Sequence, residues 1–551
     1  MPRLLDLDDP RCADPRLAGG KAATLARARQ SGLPVLPGVV VTVEESTEHI
    51  RVGVDALARR GSGGARLEVT ATPLDESLEA QLRTLAGALG NTLVVRSSSV
   101  LEASAQWSGA FTSYMDVGPT EVAQAVKGCW ASIFQVAALE RMEASGVEPQ
   151  NAKMAVLIQP ALSPDFGGTA HLDGDDVVVV AIAGSPAPLV QGWEPGVRAR
   201  VGQDGVAGES ATELVGEPIL AQIASLLREA NHVLGSTGCE WAAVGEDVYL
   251  LQLITTDAPA IASPVLVVEP DDGALAVSRL ARRFPGPLGE ELVLPWALGA
   301  LDTPLPDPSP ADLDPSAALS EAVAGSVRLT SAVWDLPEDE ACARAKAALG
   351  ALRSLEVGRE LLEGLRPPDL EEATRVLARL ATVREAVAER GAVTWPEVAW
   401  HLDLETVRRA LNGSIPKRQR IGLTRWDSFH AAVGISFGRD VSGVQCGPGV
   451  AFGRLRWLPR PDTFDTFRPR EVIVAPQPTP NLASLLWDAA AVVTVGGGPA
   501  AHLFESARAL GIPAVAGIHL EEALGMSLEE ANGRFGLAVD GSSGTVFVSE
   551  W

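Results

Sequence analysis

The stretch Val493–Val515, VTVGGGPAAHLFESARALGIPAV, sets a glycine run between a strand-like segment and an amphipathic one, with His502 at the join. Strand, glycine turn and helix in that order let backbone N–H groups and the positive end of a helix face an anion. A histidine placed there has two readings. It can carry a phosphoryl group on a ring nitrogen, with the amides stabilising the added charge, or it can simply hydrogen-bond at a helix start. The motif alone does not choose, so the rest of the chain has to.

The chain has 551 residues, 46% apolar and 21% charged, the balance of a folded protein with more than one core. A net charge of −25 argues against nucleic acid or an anionic membrane as a general partner, while leaving room for a local basic cleft. The five cysteines (Cys12, Cys129, Cys239, Cys342, Cys446) are scattered and lack CxxC spacing, which points to reduced thiols rather than a disulfide framework or a zinc site. The opening MPRLLDLDDPRCADPRLAGG carries charges where a signal peptide needs an apolar core. No run approaches a membrane span. A cytoplasmic location is expected; oligomeric state is not legible.

Three textures follow one another. Over 1–260, β-type runs such as VVVTV (39–43), TLVVRSSS (92–99), MAVLIQPAL (154–162) and DVYLLQLI (247–254) alternate with amphipathic stretches, predicting an α+β domain. Residues 261–439 include the proline-rich LDTPLPDPSPADLDPS (301–316) and then long segments with apolar residues three and four apart, predicting a mainly helical domain. Over 440–551 β-type runs return, interrupted by two helical segments, predicting a small α/β domain with a largely parallel sheet. The expected whole is a multidomain α+β and α/β protein.

Other motifs share the phosphate chemistry that His502 suggests. In LAGGKAATLARARQSGLPVLPGVVVT (17–42), Lys21 follows a glycine turn and can pair with phosphate oxygens. In TLVVRSSSVLEASAQWSGAFTSYMDV (92–117), Arg96 follows a strand, and small residues including Gly109 form a loop of the kind that closes over phosphates. In CEWAAVGEDVYLLQ (239–252), Glu240 and Gln252 face each other across a hairpin. Their oxygens suit a magnesium ion that grips a nucleotide.

In this order the motifs resemble the pyruvate phosphate dikinase and phosphoenolpyruvate synthase superfamily, over about the first 260 and last 110 residues. The resemblance implies an N-terminal ATP-grasp-like nucleotide-binding domain (1–260), a middle acceptor-binding domain (261–439) and a C-terminal swivelling phosphohistidine domain (440–551). It implies ATP and Mg2+ as cofactors and His502 as carrier. Lys21, Arg96 and Gly109 would act at the nucleotide, and Glu240 and Gln252 would hold both nucleotide and metal. The dikinases' large pyruvate-binding barrel is not expected here. The histidine domain coming last is similar to the rifampicin phosphotransferase arrangement, in which a helical middle domain takes a small-molecule acceptor. Within TWPEVAWHLDLETVRRALNG (394–413) and RWDSFHAAVG (425–434), Trp400, Trp426 and His430 read either as an apolar acceptor pocket, with His430 as a base, or as ordinary helix packing.

The chain also departs from its relatives. Ile254 stands where they carry an arginine after LQ, Ala137 where a second phosphate-binding arginine falls, and Ala500 and Ala501 where threonine and serine precede the histidine. Each lost arginine contact removes about 1.5–3 kcal/mol per hydrogen bond to phosphate. Arg141, Lys127 and Arg198 are the candidates to compensate. The expected function is an ATP-dependent phosphotransferase passing a phosphoryl group through His502 to a small-molecule acceptor, in secondary metabolism or antibiotic modification. Two alternatives stand beside it: an enzyme that activates its substrate as a phosphate and then condenses or dehydrates it, and a binding or scaffold protein whose nucleotide site has decayed.

Overall fold

The computed structural model describes residues 3–103, 105–203, 205–255, 272–301, 303–353, 362, 364–393, 395–414 and 425–551. Its N-terminal part holds two sheets. One has five strands, β1 (Leu4–Asp6), β2 (Val39–Val41), β3 (Leu93–Ser99), β4 (Tyr114–Val117) and β5 (Met154–Pro160), in the order β1-β2-β5-β3-β4. The other has six, β6 (Phe166–Asp173), β7 (Asp176–Ala183), β8 (Val197–Gly202), β9 (Gly205–Ala207), β10 (Gly238–Val244) and β11 (Asp247–Ile254), in the order β11-β10-β6-β7-β8-β9. Every pairing in both is antiparallel. β5 and β7 are buried along almost their whole length, so they read as continuous apolar runs rather than alternating ones. β11 also reaches the segment that leads into β2, where the Leu250 amide donates to the Pro34 carbonyl at 2.9 Å.

The first helix, Pro15–Gln30, starts on an Asp14 cap and breaks at Gly19, whose φ of 72° lies in the left-handed region. A Cβ there would fall 1.7 Å from the Ser98 carbonyl oxygen. This close approach seats the Lys21 turn against the end of β3, which carries Arg96. The Ser98 hydroxyl fixes it from the other side, donating to the Ala18 carbonyl at 2.7 Å and accepting from the Ala22 amide at 2.9 Å.

Beyond the sheets, the described residues from Asp272 to Phe437 are helical or irregular, with no strand. Helices Pro315–Trp334 and Leu370–Glu389, capped by Asp314 and Asp369, pack on a core that includes Trp296, Phe284 and Phe429. The C-terminal part is an eight-stranded sheet built from β12 (Arg439–Ser442), β13 (Val444–Gly447), β14 (Val450–Trp457), β15 (Val472–Ala475), β16 (Ala491–Thr494), β17 (Ala514–Ala516), β18 (Phe535–Asp540) and β19 (Thr545–Glu550). Its order is β12-β19-β18-β14-β15-β16-β17-β13. Only β14-β15-β16-β17 run parallel. The sheet is therefore mixed, which corrects the expectation of a largely parallel one. A hairpin of the last two strands pairs back antiparallel on β14, and short β12 and β13 close the edges antiparallel.

Among the described residues no single helix is long and apolar enough to cross a membrane. One bent pair, Val122–Phe134 with Val136–Ser145, passes on length and composition, but Trp130, Phe134 and Met142 from it are core residues. All five cysteines are unpaired.

Gly19→Ala is expected to cost on the order of 2–4 kcal/mol, from left-handed backbone strain plus overpacking against Ser98. A lower urea midpoint for the N-terminal transition would show it; an unchanged midpoint would mean the turn relaxes freely.

Candidate active site

Lys21, Arg96, Gly109, Glu240, Gln252 and His502, from four separate stretches of sequence, all line one cavity of about 780 Å³. Its floor comes from the two N-terminal sheets, and its far wall from the loops after β14 and β15. One end is apolar, with Leu36, Val94, Met115 and Leu162. At the other end the charged side chains meet.

Arg96 projects from β3 toward β10 and β11. Its guanidinium donates to the Leu251 carbonyl, reaches Gln252 Oε1 at 3.5 Å, and sits 3.9 Å from Glu240 Oε2. Glu240 and Gln252 are direct cross-strand partners, immediately before a bulge at Trp241. Two hard oxygen donors side by side fit a magnesium ion, provided phosphate oxygens and water complete its shell. Among the described residues no cluster of three or more histidine, cysteine or acidic groups exists that would hold a metal unaided. Lys21 pairs with Glu102 at 2.7 Å, and Glu102 in turn accepts from the Ser99 amide at 2.8 Å. This holds the ammonium beside the cavity instead of folded away into solvent.

His502 opens the His502–Leu510 helix and enters the cavity from the C-terminal part. Its side chain rests on bare backbone: a Cβ on Gly109, whose φ is +64°, would come within 3.0–3.2 Å of the His502 Cβ and two of its ring carbons. Nδ1 lies 2.8 Å from Ser108 Oγ and 3.1 Å from Glu505 Oε2, and the Ser108 hydroxyl donates to the same carboxylate oxygen. Burial pushes the imidazole pKa down, but the hydrogen bond and charge of Glu505 outweigh it, and the net shift is upward. Burial likewise opposes ionisation of Glu505, and the His502 bond overcomes it, holding the carboxyl below its usual range. With Nδ1 committed to Ser108 and Glu505, Nε2 is the nitrogen left to act as nucleophile.

Ser108 and Glu505 are the site residues that the sequence reading does not reach. Arg141 was weighed only as a phosphate ligand, and that expectation is corrected. It is buried outside the cavity, donating at 2.9 Å to both the Ser108 and Pro480 carbonyls, and burial lowers its pKa to about 10. It fastens the Ser108 loop to the C-terminal part. Lys127 and Arg198 do not line the cavity either; the additional cation there is Arg460, on an exposed rim beside Asp462. Ile254 borders a small cleft with Ala500 and Arg508, and Ala500 packs against Val180, Ile182 and Leu189. These replacements turn polar positions into apolar docking contacts. Ala501 leaves the His502 helix without a side-chain cap, a loss of about 0.5–2 kcal/mol relative to serine.

Trp400 and His430 share a second cavity, while the Trp426 side chain lies outside the described residues. His430 is buried, with Nδ1 3.1 Å from Ser278 Oγ. The expectation of an apolar pocket is corrected, because seven arginines line this cavity. They come from elements far apart in sequence, which local reading could not bring together.

Residues 15–193 match the family model described as "Pyruvate phosphate dikinase, AMP/ATP-binding domain", and residues 467–544 match "PEP-utilising enzyme, mobile domain". These two segments are similar to parts of the pyruvate phosphate dikinase and phosphoenolpyruvate synthase superfamily. The chain is 25% identical over 303 residues to the prodigiosin synthesizing transferase PigC of Serratia marcescens, covering 47% of this chain and 34% of that one. It is 29% identical over 209 residues to the phosphoenolpyruvate synthase of Aeropyrum pernix, covering 32% and 26%. The matches thus span about a third or less of those relatives' length.

If Nε2 must lose its proton to react, the phosphorylation rate of His502 should rise with pH through a midpoint above the ordinary value of about 6.5. Glu505→Gln should move that midpoint down, since burial then dominates. A midpoint that stays put would show that Glu505 does not govern the imidazole. The same raised value makes the His502 side of the imidazolium–Glu505 pair fully stabilising below the unfolded value of about 6.5, as long as pH stays above the lowered folded value of Glu505. That contribution is lost as pH rises through the folded value of His502.

Proposed function

We propose that the protein is a phosphotransferase that moves a phosphoryl group from ATP, with Mg2+, through Nε2 of His502 to a small-molecule acceptor. The observation that carries this reading is the presence of His502 in the same cavity as Lys21, Arg96, Glu240 and Gln252. Members of the superfamily are phosphotransferases that act through a phosphohistidine, and the two matching segments are its nucleotide-binding and mobile parts.

In this reading Leu36, Val94, Met115 and Leu162 take the nucleotide base, and Glu240 and Gln252 hold the metal that accompanies the phosphates. Lys21 and Arg96 neutralise the charge that builds on the transferred group. Glu505 and Ser108 hold the proton on Nδ1, so that Nε2 presents its lone pair. Once phosphorylated, the histidine has to leave, because the donor occupies the cavity where an acceptor would otherwise sit. The C-terminal sheet would then swing toward the helical region, in an order of domains similar to the rifampicin phosphotransferase arrangement (1–260, 261–439 and 440–551). A relative named as a synthesizing transferase supports a substrate from secondary metabolism.

A second reading, that of a binding protein with a decayed nucleotide site, is favoured by Ile254 and Ala137 in the arginine positions and by the partners that Lys21 and Arg96 already have.

Intact mass after incubation with magnesium and ATP, kept alkaline to protect phosphohistidine, separates the two. Gain of a single phosphoryl group in the wild type, absent from His502→Ala, is expected. Folded protein that gains no mass, and whose melting temperature magnesium and ATP leave unmoved, would overturn the enzyme reading.

A further inference from the structure

The second cavity, of about 470 Å³, lies between the helical region and the C-terminal sheet. It sits at the far end of β15 from His502: Arg470 and Glu471, just before that strand, line this cavity, whereas Pro476 and Gln477, just after it, line the other. Seven arginines and four carboxylates face it, in a chain whose net charge is −25.

Some of these arginines have anionic partners in the protein. Arg456 is held by Glu471 at 2.6 and 2.8 Å, and Arg283 by Asp307 at 2.8 Å. Arg282, Arg384 and Arg454 have none within ion-pair distance among the described residues. Instead, each lies over aromatic rings. Arg282 is 5.1 Å from the Phe452 ring centre and 5.0 Å from that of Trp551, Arg454 is 5.1 Å from Trp551, and Arg384 is 4.9 Å from Trp400. Nε of Arg384 and Nε of Arg454 are buried without a hydrogen-bond partner. Burial, with Arg279 and Arg454 nearby, lowers the Arg282 pKa to about 10, and burial likewise lowers that of Arg384.

A buried cation without a counter-charge is costly, and a guanidinium stacked on a ring keeps its in-plane N–H edge available for oxygen. The three arginines come from the Asp272–Arg283 helix, the Leu370–Glu389 helix and β14, so their convergence is a property of the fold and not of one basic run. The volume is that of a small-ligand site.

We propose that Arg282, Arg384 and Arg454 form a binding site for a small organic polyanion bearing carboxylate or phosphate groups, separate from the nucleotide cavity. The proposal does not rest on the phosphotransfer reading. A bound anion would bridge the helical region to β14 and so tie down the sheet that carries His502.

The test is calorimetric titration of the full chain, without magnesium, using citrate as the carboxylate probe and inorganic pyrophosphate as the phosphate probe. It is run on the wild type, on the double variant Arg384→Gln/Arg454→Gln, on Arg384→Gln alone, and on Arg96→Gln. Binding of at least one probe is expected, weakened about tenfold or more in the double variant by loss of charge-assisted contacts, and unchanged in Arg96→Gln. The identity of the probe that binds tells carboxylate from phosphate. Should the double variant fail to fold, Arg384→Gln alone should still weaken binding severalfold. No binding of either probe up to about 10 mM would overturn the proposal. So would binding that survives both arginine variants, or binding that disappears with Arg96→Gln.

Discussion

The contact on which the site depends is the one that Ser108 and Glu505 make on a single imidazole nitrogen. Ser108 belongs to the loop after β3, and Glu505 to the helix that His502 begins. Together they fix the ring's position relative to Lys21 and Arg96 and decide which nitrogen faces the cavity. Remove them and the histidine is still in the chain and Arg141 still ties the Ser108 loop to Pro480, but the imidazole is no longer fixed against Lys21 and Arg96. Gly109 under the ring and Arg141 behind the Ser108 loop support the same contact from two further sides.

This arrangement gives the departures from the superfamily pattern a physical meaning. Positions where relatives carry phosphate-binding or capping groups hold Ile254, Ala500 and Ala501 here, and Ala500 and Ala501 are buried in docking or core contacts. Lys21 already pairs with Glu102 and Arg96 lies near Glu240, so on the phosphotransfer reading a nucleotide would compete with or share these partners. On that reading the trade favours a weaker or more selective nucleotide site over a tight general one.

Much of this was legible in the sequence. Lys21, Arg96, Glu240, Gln252 and His502 stand in short motifs whose chemistry is local, and the hairpin that opposes Glu240 to Gln252 follows from the Gly245–Glu246 turn between two mostly apolar runs. The mixed C-terminal sheet was not, because strand direction depends on where the final hairpin docks and not on the composition of β18 or β19. Glu505 was missed because an acid three residues into a helix is ordinary; its one distinguishing signal is a charge on an otherwise apolar face beside a histidine. Arg282, Arg384 and Arg454 are more than 60 residues apart in each pairing along the chain and carry no signal until the fold assembles them.

The most direct measurement is a nitrogen-15 spectrum of histidine-labelled protein after reaction with magnesium and ATP at alkaline pH, assigned by comparison with His502→Ala. Phosphorus coupling at Nε2 of His502, with the proton retained on Nδ1, is the expected result. Phosphorus on Nδ1 would contradict the geometry, because that nitrogen would have to give up both Ser108 and Glu505 to react.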